Sequence, residues 1–403
     1  MILLPRLWIS VALALTLLLS NRSPLRAEEP ARIADEPTPV VAVSAIDEQT
    51  LKDPLLEQVN EAIDVTTRRY LTATVHTPWQ IMHGLLALRD KYLIKLGNEK
   101  VSAIDWVSNG ATYRGEHWFE KTRYGGRAHP YSTAYAFEGH PNQLLAILSM
   151  CSLPMDHKIR AGNGTFTIAE MIKHTQAEVN AQEEITWTLW GLSNFLGTDA
   201  RWENKYGEAW SIERLVRMQT HQPVHTAACG GSHGLFALSF ARNVHVESGK
   251  PLRGVWLEAE QKIKRYIEEA RLYQNQDGSF STDYFKGRNS SRDFQTRLGS
   301  SGHTLEFLML AMPKNRLKEQ WVRNGVAALA RDLIDHGRDP AECGALYHAM
   351  DGLVIYRDRM MPPSETEAAS EVAESEPQTK VEGTADEKGP LPVVVNEDDA
   401  TDE

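Results

Sequence analysis

The chain is 403 residues long, 42% apolar and 24% charged, with 14 histidines, 3 cysteines and a formal charge of −11. Residues Ser364 to Glu403 hold 13 Asp and Glu against 2 Lys, a net −11 that accounts for the whole charge, so residues 1–363 sum to zero. The acidity therefore excludes no ligand of the folded part and no nucleic-acid partner is expected; the cysteines allow at most one internal bridge, which excludes a disulfide framework.

Residues 1–27 read as an export signal, with Arg6 before an apolar core from Leu7 to Leu19 and the small Ala27 at the cleavage point. That core is shorter than the roughly 20 residues needed to span a bilayer. No cysteine follows it closely and no arginine pair precedes it, so neither a lipid anchor nor twin-arginine export is expected. The sequence thus predicts an extracytoplasmic protein, periplasmic or secreted, with no membrane span. Residues 28–52 read as a disordered linker, 53–361 as one folded domain and 362–403 as an acidic disordered tail.

Within the domain, amphipathic helical patterns run at about 55–72, 166–180, 208–220, 254–273 and 316–336, with a weaker one at 101–107. Thr167 and Glu170 form a capping box at the start of one of them. Between these patterns lie nearly all-apolar segments at about 79–96, 139–151, 183–196, 230–243, 300–312 and 342–357. Five of the six carry a histidine at or near the start, namely His83, His140, His233, His303 and His348, and the remaining one is headed by Trp187. A one-striped helix can lie outside an all-apolar one, which must be surrounded. The alternation predicts an all-α (α/α)6 toroid of six outer and inner helix pairs, with no strands and with the histidines at the mouth where the inner helices begin. The long connections 109–138 and 274–300 belong to that mouth. Cys229 and Cys343 precede their helices whereas Cys151 ends one, so only the first two are able to pair; three free thiols are the expected state.

Three motifs carry a resemblance. Asn275-Gln-Asp-Gly-Ser-Phe280 resembles the Gln-x-x-Asp-Gly-Ser-aromatic motif of squalene cyclases. Cys229-Gly-Gly-Ser-His-Gly-Leu-Phe-Ala-Leu238 and Ser300-Ser-Gly-His-Thr-Leu-Glu-Phe-Leu308 resemble inner-helix starts of protein prenyltransferase β-subunits. The resemblance is to the terpenoid cyclase and protein prenyltransferase-like toroids, and it implies their fold rather than their activity. The cyclase Asp-x-Asp-Asp motif and the Asp-Asp-x-x-Asp diphosphate motif are missing from residues 53–361, and Ala227 stands where the prenyltransferase zinc set has an aspartate.

Free N–H groups and the positive dipole ends of inner helices make the histidine mouth favourable to anions. His233 and His303 are the candidate catalytic bases, with Tyr131 assisting. His83, His140 and His348 complete the ring, Trp118 and Tyr124 are candidates for stacking on sugar rings, and Arg127, His129, Arg288 and Arg292 for gripping an anionic group. Glu116, Glu138 and Glu184 are possible carboxylates for glycoside hydrolysis, although no spacing pairs them on one face. Cys229, His233, His303 and Cys343 have the ligand types of a zinc site. However, Gly230-Gly231 interrupts any helix joining Cys229 to His233, so neither metal nor cofactor is expected. The functional expectation is a pocket protein for an extended or anionic ligand, such as a polysaccharide, acting as a lyase or hydrolase. The alternatives are a non-catalytic scaffold for a protein partner the sequence does not name, or a divergent prenyltransferase-like zinc protein.

Overall fold

The charged, one-striped segments form helices α1 (Pro54–Thr67), α3 (Ala103–Ser108), α5 (Ile168–Glu178), α7 (Ile212–His221), α9 (Val255–Tyr273) and α11 (Gln320–Asp335). The apolar segments form α2 (Pro78–Leu88), α4 (Gln143–Ser149), α6 (Thr186–Leu196), α8 (Ser232–Glu247), α10 (Phe294–Ala311) and α12 (Cys343–Met360). These come from a computed structural model, which describes residues 53–129 and 135–361. The segments expected to be an export signal, a linker and an acidic tail, and with them Tyr131 in the segment 130–134, lie outside the described residues.

Local chemistry fixes the helix starts. Thr77 and Gln80 make a reciprocal capping box ahead of α2 with Pro78 at the first turn, and Thr167 and Glu170 do the same for α5. The Glu342 side chain accepts from the amides of Gly344 and Ala345 and so opens α12. Asp293 caps α10 by accepting from Thr296 N–H, which starts that helix about two turns earlier than the apolar run suggests. Arg297 in those added turns is held between Asp277 and Asp332 at 2.7 and 2.9 Å. The Asp-Gly-Ser turn is thereby locked to α10 and α11, and Phe280 packs edge-on against Trp321.

The apolar helices pack in succession, α2 on α4, α4 on α6, α6 on α8, α8 on α10 and α10 on α12, and α12 returns to α2. The one-striped helices flank them, α1 and α11 against α12, α9 against α8 and α10, and α7 against α6 and α8. Burial follows the pattern: every residue of α12 from Cys343 to Val354 is buried, whereas α9 buries a single stripe. Among the described residues no helix is long and apolar enough to cross a membrane.

The expectation of no strands is corrected. Five two-stranded antiparallel hairpins occur among the described residues: β1/β2 (Leu93–Leu96, Glu99–Ser102), β3/β4 (Thr112–Tyr113, Glu116–His117), β5/β6 (Phe119–Thr122, Gly125–Ala128), β7/β8 (Lys158–Ala161, Gly164–Thr167) and β9/β10 (Arg201–Glu203, Ala209–Ser211). Strands of two to four residues are too short for a period of two to register. In three hairpins the last residue, Ser102, Thr167 or Ser211, caps the following helix, so each hairpin aims one of α3, α5 and α7.

Helices α10 and α12 approach closely along their seam. A methyl group on Gly302 would stand 2.9 Å from the backbone of Ala349, and one on Gly352 would stand 3.0 Å from the amide of Glu306. Gly302→Ala should therefore cost about 2 kcal/mol by overpacking. Gly299→Ala, one turn earlier with only a 4.0 Å contact, should instead gain up to about 1 kcal/mol of helix propensity. Urea denaturation of the two variants checks the opposite signs.

Candidate functional site

The five apolar-segment histidines meet. His303 lies 4.2 Å and His233 4.9 Å from His348, centroid to centroid, and His233 and His303 are 5.0 Å apart. His83 adjoins His348 at 5.3 Å and His140 adjoins His233 at 5.6 Å. All five line one cavity of about 430 Å³, together with Trp79, Tyr135, Cys229 and Glu342. Among the described residues the lining contains no lysine or arginine.

Backbone geometry delivers the thiol. Cys229, Gly230 and Gly231 all take left-handed conformations, with φ of 50°, 63° and 82°. Only glycine fits at the second and third positions: a Cβ on Gly230 would meet the Tyr284 ring at 2.1 Å, and one on Gly231 the carbonyl of Val224 at 2.5 Å. The turn that breaks helical continuity is what points Cys229 at His233 and His303. Ligand atoms of these three residues lie within 4.8 Å of one another.

Hydrogen bonds set the imidazole tautomers. His83 Nδ1 is 2.6 Å from the carbonyl of Trp79, and His303 Nδ1 is 2.7 Å from that of Gly299. A carbonyl only accepts, so each Nδ1 carries the proton and each Nε2 keeps a lone pair. His140 Nδ1 lies 2.6 Å from Glu184. Neither ring nitrogen of His233 has a hydrogen-bond partner among the described residues. Burial and neighbouring histidines push the site toward neutrality: His83 and His303 fall to about 4, and His233 and His348 well below their usual range. Burial, with Glu306, Glu342 and Glu184 nearby, raises the Cys229 thiol to about 12.

Beneath the cluster, His348 Nδ1 sits 2.9 Å from both oxygens of Glu306. Burial and the adjacent Asp351 hold the Glu306 carboxyl well above the usual carboxylate range. Asp351, also raised by burial, is bridged by Arg89 at 2.6 Å. Glu306, Asp351 and Arg89 escaped the sequence reading. Their one signal was charge inside apolar helical runs, which reads as interruption until a partner is seen.

The other candidates divide. Arg127 lines a second cavity beside His140, where it also bonds Glu120 at 3.2 Å. Trp118 is corrected from a stacking surface to core, 1% exposed and edge-on to Trp106. His129 stacks on Phe137 and faces Glu116 at 3.2 Å, and Tyr124 lies under Arg123; neither lines the histidine cavity. Arg288 is exposed and donates to the Leu272 carbonyl, and Arg292 is exposed, so neither grips the site. Cys343 is buried at the head of α12, outside the three-ligand cluster, and the three cysteines are unpaired.

An imidazole held below its unfolded pKa leaves the unfolded chain binding more protons between the two values. Its contribution is therefore intact above about 6.5 and lost as pH falls towards 4. His83→Gln removes that dependence while keeping a donor for Trp79. Between pH 6.5 and 4.5 the wild type should lose about 2 kcal/mol more stability than this variant, measured by denaturant titration at both pH values. Parallel losses would contradict a neutral buried His83.

In comparison with known proteins, no family model, no curated protein and no solved structure matches this chain.

Proposed function

We propose that the chain is an exported (α/α)6 toroid whose histidine pocket binds one divalent transition metal, zinc by ligand type, through Cys229, His233 and His303. The carrying observation is the convergence of these three ligand atoms within 4.8 Å at a cavity whose described residues include no lysine or arginine. Tetrahedral zinc with bonds of about 2.0–2.3 Å spaces its ligands by about 3.5 Å, so closing the site needs side-chain shifts of about 1 Å. Neutral imidazoles with free lone pairs suit a cation, and Glu342 adds negative charge. The succession of contacts from α2 round to α12 and back supports the toroid, and the residue pattern before Glu28 supports export.

Three protein ligands leave a fourth position for a substrate atom, as catalytic zinc sites do. His140, oriented by Glu184, is then the base beside the metal, in a hydrolase acting on an extended ligand. A metal-free lyase with His303 as base is less well supported, because an imidazole near 4 is a weak proton acceptor at neutral pH. The charge of the lining also favours a cation over the anionic ligand that helix dipoles alone suggest.

Zinc-equilibrated, desalted chain should contain one equivalent of zinc by elemental analysis, and Cys229→Ala and His303→Ala less than about a tenth of that. Metal-free wild type would overturn the proposal. Binding should displace one proton, that of Cys229, because the imidazoles are already neutral. The apparent zinc affinity should then rise about tenfold per pH unit between pH 6 and 8 in a competitive chelator titration. A pH-independent affinity would remove Cys229 from the ligand set.

A further inference from the structure

Beside the histidine cavity lies a second one of about 220 Å³, bounded by β6, α5 and the chain from Glu138 to Asn142. The two share His140 as a common wall. At that size the smaller one falls below the roughly 300–1,000 Å³ of a self-sufficient ligand site, and so takes one part of a larger ligand.

Its polar groups are of mixed sign and incompletely used. Glu138 is 9% exposed; one carboxyl oxygen accepts the Leu144 amide at 2.8 Å, and the other has no partner among the described residues. Arg127 donates one terminal nitrogen, Nη2, to Glu120, and its other terminal nitrogen, Nη1, makes no hydrogen bond among the described residues. His174 engages Thr122 through Nδ1 and lines the same space. A carboxylate ligand would be repelled by Glu178 and Glu183. A hydroxyl both donates and accepts, and it satisfies a spare donor and a spare acceptor together at no cost in charge. Burial raises Glu138 to about 7, which lets this carboxyl serve in either role at neutral pH. In the neighbouring cavity the half-buried Trp79 stands 5.1 Å from the exposed Tyr135, edge to face.

We infer that the pocket at Arg127 and Glu138 is a subsite for a neutral, hydroxyl-rich ring, and that the ligand is a neutral oligosaccharide of at least two units, one over the histidine cluster and one beside His140. This rests on the central cavity being the ligand site proposed above, and it names the class of ligand.

The test is calorimetric titration of the zinc-equilibrated full chain with neutral tetrasaccharides of β-1,4-glucose, β-1,4-xylose, β-1,4-mannose and α-1,4-glucose. Their monosaccharides and trigalacturonate serve as comparisons. At least one tetrasaccharide should bind tenfold or more tighter than its monosaccharide and than trigalacturonate. Glu138→Gln keeps the acceptor for Leu144 and should weaken that binding about tenfold, with unchanged melting temperature and zinc content. Arg127→Lys, which cannot bond Glu120 and still keep a second terminal nitrogen for the ligand, should weaken it comparably. A zinc-loaded protein that binds none of the tetrasaccharides, prefers trigalacturonate, or is indifferent to both substitutions overturns the inference. Zinc content in the same samples separates the two proposals: a metal-free protein that still binds a tetrasaccharide through Glu138 supports the subsite while removing the metal.

Discussion

Much of this molecule depends on how closely α10 and α12 approach. Gly302 faces the backbone of Ala349, and Gly352 faces that of Glu306, so the two helices touch with nothing larger than hydrogen between them at two levels. That distance brings His303 within 4.2 Å of His348 and lets the Glu306 carboxyl reach across to His348 Nδ1. A larger residue at either glycine would separate the helices and leave Glu306 and His348 as buried polar groups without each other, each costing about 1–3 kcal/mol. Packing and polar satisfaction are thus one constraint here.

The second constraint is the dielectric of the interior. Four imidazoles with almost no solvent cannot all carry charge, so they are held neutral. Neutral histidines are poor acids and weak bases but good ligands. The same burial that keeps the Cys229 thiol protonated makes thiolate formation depend on a cation. Burial on one side and a left-handed Cys-Gly-Gly turn on the other therefore favour metal binding over proton transfer.

Acid groups inside apolar helices supply the rest of the setting. Asp351 and Glu306 lie on α12 and α10 and are neutralised partly by Arg89, which reaches in from the end of α2. Three successive apolar-helix histidines and this acid pair occupy space that apolar side chains would fill with less difficulty. Polar groups retained at such expense are a functional signature more than a packing device.

The twelve α-helices among the described residues were legible because two periodicities differ plainly: α9 shows one apolar stripe and α12 is apolar nearly all round. The capping box at Thr167 was legible too, since it is written in residues one turn apart. The hairpins were not, because strands of two to four residues carry too little period, although Gly97-Asn98 and Gly162-Asn163 marked two of the turns. By itself the sequence determined helix positions, caps and which segments must be buried, all of which depend on neighbours within about four residues. Tertiary structure alone decided that five histidines share one cavity, that Cys229 joins two of them despite the glycines, and that Trp118, Arg288 and Arg292 do not. Those facts depend on the rotation and depth of helices separated by tens of residues, which local periodicity leaves unspecified.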